Sequence, residues 1–173
     1  MSAPLTTWLA NPKTIYTGTS QDAGGGLVVS GREIIELVPN GATPVHPYDH
    51  RVDLSDQVVT PGLINTHHHF YQTLTRALPD ALNKELFPWL QTLYPVWANL
   101  DPELHRAATR LALAELLLSG CTTASDHHYL FPTNLTDAID HQIEVGHEMG
   151  VRLALTRGSM SLGKDQGGLP PNS

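Results

Sequence analysis

The sequence predicts an α/β chain in two parts, a small β-unit over residues 1–57 and then strands alternating with helices, which imply a parallel sheet. Three observations carry this. The first 57 residues break into short β-prone runs separated by Gly, Pro and Asn. A continuous apolar run of strand length, "QVVTPGLIN", follows them. From residue 101 onward, two segments with helical spacing alternate with two further strand-like runs.

In chain order, strands are expected at "TIYTG", "GLVVSG", "EIIELV" and "HRVDLSDQ", with turns at Gly24-Gly25-Gly26 and Pro39-Asn40-Gly41. "QVVTPGLIN" reads as a strand buried on both faces. Residues 67–100 read as a long connection with one helical pattern, Leu86, Trp89, Leu90, Leu93 and Trp97, which Pro95 should kink or split. Asp101 suits an N-cap and Pro102 the first helical position. Leu104, Ala107, Ala108, Leu111, Ala114 and Leu118 then form one apolar stripe, and Gly120 is a stop signal. "CTTASD" (121–126) is a second strand, a helix runs from about Asn134 to Met149 until Gly150, and "VRLALTR" (151–157) is a third strand. The tail "GSMSLGKDQGGLPPNS" is a glycine-rich loop. Strands joined through helices cross over right-handed.

The chain has 173 residues, 40% hydrophobic and 16% charged, enough for a domain with a real core. Its net charge of −7, with no Lys/Arg run, argues against a nucleic-acid partner. Cys121 is the single cysteine, so no internal disulfide is expected. The start "MSAPLTTWLANPKT" lacks the pattern of a secretory leader, and no run is long enough to span a membrane. A cytoplasmic location is the expectation. Ten histidines are many for this length.

Three of those histidines follow the apolar run in "TPGLINTHHHFYQ". On an extended strand, Asn65, His67 and His69 share one side and His68 takes the other. Two imidazoles at the carboxyl end of a parallel strand lie where α/β active sites form, and they suit one divalent cation, zinc or iron. Asn65 could orient a ligand from behind. A bare His-x-His also fits a solvated loop. The buried strand before it and the β-unit before that favour metal ligation by His67 and His69.

"TPGLINTHHH" resembles the first-strand motif of the amidohydrolase superfamily, Pro-Gly-x-Ile-Asp-x-His-x-His, with Asn65 in place of the Asp. Three longer stretches are similar to the 8-oxoguanine deaminases of that superfamily: "HHHFYQTLTRALPDALNKELFPWLQTLYPVWANLDPE", "ELLLSGCTTASDHHY" and "GSMSLGKDQGGLPP". The s-triazine hydrolases and guanine deaminases are more distant. The resemblance implies an incomplete (β/α)8 TIM barrel, its first three strands lying within 58–173, preceded by part of a small β-sandwich. It implies a metal-dependent hydrolytic deaminase that converts 8-oxoguanine and water to uric acid and ammonia. The alternatives are an s-triazine or guanine aminohydrolase, or a non-catalytic metal-binding module. The proton-shuttling Glu and the remaining metal ligands belong to later strands of the family, so the chain reads as a fragment without a catalytic residue of its own. The isolated 173 residues are expected to be inactive. A full-length protein would be a homo-oligomer acting on a small purine-like substrate.

In guanine-type deaminases the glutamine of this motif hydrogen-bonds the purine, so the resemblance implies that role for Gln72, whose amide can both donate to and accept from a base edge; a surface glutamine in a loop is the other reading. Trp89, Tyr94 and Trp97 could stack on a planar base, although their spacing also fits helix core. His127, His128 and Asp126 end the second strand and could reach substrate or water, the period leaving open which face is inward. His105, His141 and His147 are expected on exposed helix positions, and the sequence names no partner for His46 or His50. "GSMSLGKDQGG" is either a lid or an ordinary loop, with no phosphate-binding pattern.

Overall fold

The run "QVVTPGLIN" forms two strands rather than one. Val58–Val59 pairs with Thr14–Ile15, whereas Leu63–Asn65 joins a different sheet. Pro61 and Gly62 interrupt the run, and there the chain divides into two compact units, Met1–Pro61 and Gly62–Ser173. Gly62 cannot carry a side chain, because a Cβ would lie 2.2 Å from Thr122 Oγ1. The computed structural model describes residues 4–19, 21–166 and 168, so the end of the glycine-rich tail lies outside the described residues.

The first unit contains β1 (Thr6–Ala10), β2 (Thr14–Ile15), β3 (Gly26–Ser30), β4 (Glu33–Val38), β5 (His50–Asp53) and β6 (Val58–Val59). Four of them form a sheet in the order β4-β3-β1-β5, and β2 pairs with β6. β1, one of the two inner strands, is absent from the sequence expectation. Its "TTWLA" lies in the terminal stretch that the sequence reading weighs only as a leader. It is held by Trp8, which is buried and donates its indole N–H to the Gly25 carbonyl at 3.0 Å. Trp8, Ala10, Val28 and Val38 make the unit's core.

The second unit contains β7 (Leu63–Asn65), α1 (Leu86–Trp97), α2 (Pro102–Leu118), β8 (Cys121–His128), α3 (Ala138–Met149) and β9 (Arg152–Arg157). Short 3-10 turns occupy Phe70–Thr75, Pro79–Ala81 and Lys164–Gln166. The strands form a parallel sheet in the order β7-β8-β9, the α/β arrangement that the alternation predicts. α2 packs on β8 and on α3, α3 packs on β9, and Phe70, Ala112, Leu113, Ala124, Val145 and Val151 fill the space between the layers.

Four expectations need correction. β7 is not buried on both faces: Leu63 and Ile64 are 58% and 68% exposed, because β7 pairs only with β8 among the described residues. Pro95 does not split α1, since it falls in the last turn and the helix ends two residues later. α3 begins at Ala138, four residues later than its apolar pattern suggests. α2 has the predicted start, with Asp101 accepting from Leu104 N–H at 2.8 Å, and Gly120 adopts a positive φ of 85° after its end. Its buried face, however, is His105, Ala108, Thr109, Ala112 and Leu113, while Leu104, Leu111 and Leu118 are exposed. Both faces keep helical spacing. A hydrophobicity pattern rejects the one that carries His105 and Thr109.

Candidate metal and substrate site

The carboxyl ends of β7 and β8 lie side by side, and the chain leaving β7 docks on β8. His127 N–H donates to the His68 carbonyl at 2.9 Å. Asn65 Oδ1 accepts from the His67 amide at 3.2 Å, so it braces that residue's backbone and not its ring. The ring centres of His67 and His69 are 5.2 Å apart with their planes nearly perpendicular. Two imidazoles on one tetrahedral zinc, with bonds of about 2.0–2.1 Å, have ring centres about 5 Å apart, so the pair fits a shared cation.

The hydrogen bonding of His69 sharpens this fit. Its Nδ1 lies 2.7 Å from the His127 carbonyl oxygen. A carbonyl only accepts, so Nδ1 carries the proton and Nε2 is left with the lone pair that a metal needs. Burial pushes the His69 pKa down, against the bond to His127, with His67 and His127 adding to the lowering, so the ring is kept neutral. Tyr129 stands edge-on to it at 5.5 Å. His127 approaches both rings, but it stacks nearly parallel on His67 at 4.9 Å, a packing relation and not a convergence of nitrogens. Among the described residues, no group of three or more His, Cys, Asp or Glu side chains is placed to hold a metal ion.

Gln72 lines an open recess of about 340 Å³ together with His67, His68, His69, Arg76 and Glu115. It therefore faces the space beside the histidine pair. His68 borders the same recess instead of facing away, because β7 ends at Asn65 and the strand alternation lapses there. Arg76 and Glu115 are joined by two hydrogen bonds, at 3.1 and 2.7 Å.

Five other candidates lie elsewhere. Trp97 is 1% exposed and packed against Tyr71, Trp89 and Tyr94, with its indole N–H donated to Thr75 Oγ1. It has no open ring face in this conformation and belongs to the core. Trp89 is half-buried at the edge of the same cluster, and the Tyr94 hydroxyl donates to Met160 Sδ in the glycine-rich loop. His128 is fully buried, its Nε2 donating to the Leu130 carbonyl at 2.6 Å, so it does not reach solvent. Asp126 is fully buried too, on the helix-facing side of β8 with Ala124 and His128. His127 takes the opposite side, toward His67.

The expectation that His105 is exposed is also wrong. It is fully buried beside His128, at 5.0 Å between ring centres, and near His141 at 6.1 Å. Burial, with the two neighbouring imidazoles, pushes its pKa down to about 3. The site contacts that sequence reasoning misses are the His127 carbonyl and Tyr129. A backbone acceptor leaves no mark in the sequence, whereas Tyr129 adjoins the histidine doublet.

Residues 58–169 match the sequence profile of the Amidohydrolase family. The chain belongs to that family. It is 61% identical over 165 residues to the 8-oxoguanine deaminase of Pseudomonas aeruginosa, covering 95% of this chain and 37% of that protein. It is 33% identical to hydroxydechloroatrazine ethylaminohydrolase of Pseudomonas sp. strain ADP, covering 92% of this chain and 37% of the relative. Among solved structures, an atrazine chlorohydrolase of Arthrobacter aurescens TC1 complexed with zinc and atraton superposes with a TM-score of 0.77 at 27% identity, covering 97% of this chain and 38% of the other. The chain thus spans little more than a third of the length of these relatives.

Proposed function

We propose that this chain is the opening part of a metal-dependent deaminase that hydrolyses a free oxidised purine, converting 8-oxoguanine and water to uric acid and ammonia. The observation that carries the reading is the His67–His69 pair, with the His69 tautomer fixed by the His127 carbonyl. The 61% identity to an 8-oxoguanine deaminase supports this choice of substrate, and the zinc complex of a relative supports zinc over iron. On this reading the second unit is the first three strands of a (β/α)8 barrel and the first unit is part of a β-sandwich. The whole enzyme is a cytoplasmic homo-oligomer.

Bound between the two imidazoles, a divalent cation would lower the pKa of a coordinated water to near 7. The chain's own residues hold and orient. His69 offers Nε2 because its Nδ1 proton is committed to the His127 carbonyl. Gln72, on the wall of the same recess, presents an amide to the edge of a base. Loss of ammonia needs a group that moves a proton to the leaving nitrogen. The carboxylates near the pair are otherwise engaged, Glu115 with Arg76 and Asp126 within the protein interior. On this reading the 173 residues alone are inactive.

The test is to express the reading frame that encodes this chain together with whatever follows residue 173, and to assay 8-oxoguanine, guanine and s-triazines. Uric acid released from 8-oxoguanine, with no turnover by the 173-residue chain, is the expected result. Preference for guanine or a triazine moves the assignment to the alternative aminohydrolase, for which the triazine-hydrolase likeness argues. Metal binding without turnover of any of these substrates leaves a non-catalytic module.

A further inference from the structure

Asp126 is fully enclosed, and both of its carboxylate oxygens are engaged. One accepts the Phe70 amide at 2.6 Å, and the other accepts the Gln142 side-chain amide at 2.6 Å. Phe70 opens the 3-10 turn that follows His69, and the first N–H groups of such a turn have no partner within it. The side chains of His69 and Asn65 supply no cap for that turn. The carboxylate of another strand supplies it instead. With the bonds from His127 to His68 and His69, three successive residues, 68–70, are docked on two successive residues of β8.

We propose that Asp126 is a positioning residue for His69. It holds the backbone just after the histidine through the Phe70 amide, from the helix-facing side of the sheet, and Gln142 of α3 fixes the carboxylate in turn. This inference rests on reading His69 as a metal ligand. Residue 69 has φ −134° and ψ 88°, outside the helical region, before the chain turns at Phe70. That backbone lets the ring reach the His127 carbonyl. Without the carboxylate the start of the turn has no acceptor, the amide seeks water, and the ring loses its fixed partner. Gln142 is needed because an enclosed carboxylate oxygen without a donor is costly, and its amide supplies one.

The test compares Asp126→Ala and Asp126→Asn in the 173-residue chain, first without metal and then with zinc. Asparagine keeps an acceptor for Phe70, and the Gln142 amide can rotate to meet its donor. In Asp126→Ala the Phe70 amide should exchange at least tenfold faster, and His69 should shift by 15N NMR from the Nδ1–H form to a mixture of tautomers. The dissociation constant for zinc should rise at least tenfold, the size expected when a ligand's support is removed. Asp126→Asn should stay within about twofold of the unsubstituted chain. If Asp126→Ala does not fold by circular dichroism, Gln142→Met is measured in its place, with the same direction and a smaller effect. The proposal is overturned if a folded Asp126→Ala chain keeps both Phe70 protection and the Nδ1–H form, or if Asp126→Asn fares no better than alanine. Failure of the protein expressed from the whole reading frame to bind zinc sinks the metal reading instead, while the metal-free measurements still decide the role of Asp126.

Discussion

Single residues in this chain divide by which side of β8 they meet. His127 and Asp126 are adjacent, yet one faces the histidine pair and the other the helices. Trp97 illustrates the opposite outcome for an aromatic that could have walled a ligand. Because its ring is enclosed and its indole N–H is bonded, Trp97→Ala should destabilise the chain by about 3–5 kcal/mol, the range for large core truncations. Urea denaturation of the variant checks this. A loss near zero would mean that the ring is exposed in solution and available to a ligand. Gln72, in contrast, lines the recess, so Gln72→Ala should leave the urea midpoint nearly unchanged and affect ligand binding alone.

At the scale of elements, α2 begins where a cap is supplied. Asp101→Ala removes the acceptor for the Leu104 N–H and should cost about 1 kcal/mol, read from the same denaturation curves. Gly26 adopts a φ of 109°, and a Cβ there would lie 1.8 Å from the Leu9 carbonyl, so Gly26→Ala should break the pairing of β1 with β3 and lower the melting temperature of the chain. These local signals explain which parts of the fold were legible. Asp101, Pro102, Gly120 and Gly150 punctuate the helices by mechanisms confined to a few neighbouring residues. Of the second unit's strands, β9 is equally plain from its apolar run, whereas β7 is the end of a run that reads as one strand with β6 until Pro61 and Gly62 are seen to divide it. The buried face of α2 was not legible, because His105 is a core residue through tertiary contacts that periodicity does not weigh. Nor was β1, since five residues ending a terminal stretch become an inner strand only through β3 and β5. For the site, His67, His69 and Gln72 stand in one motif. Their support comes from β8, some sixty residues away, and no local pattern announces it.

For the whole molecule, the enclosed histidines set the response to acid. The folded pKa is depressed to about 3 for His105 and about 4 for His128, by burial first in both cases. Between those values and the ordinary 6.5, the unfolded chain binds protons that the folded chain excludes. Stability therefore falls as pH drops below 6.5. Asp126 acts in the opposite sense: burial raises it from 3.8 to about 6, so its contribution improves as pH falls through that window. Two histidines with larger shifts outweigh it. The urea midpoint should decline from pH 7 to pH 5, and His105→Leu should make the decline shallower. A midpoint that is flat or rises in acid would contradict the burial of these rings. The other histidines, His67 and His69, hold the metal on the proposed reading, and zinc affinity of the 173-residue chain reports on them. Competition with a chelating dye should give a dissociation constant that rises at least tenfold in His67→Asn and again in His69→Asn, with His147→Asn unchanged. An affinity untouched by both substitutions would show that the pair is not where this chain holds its metal.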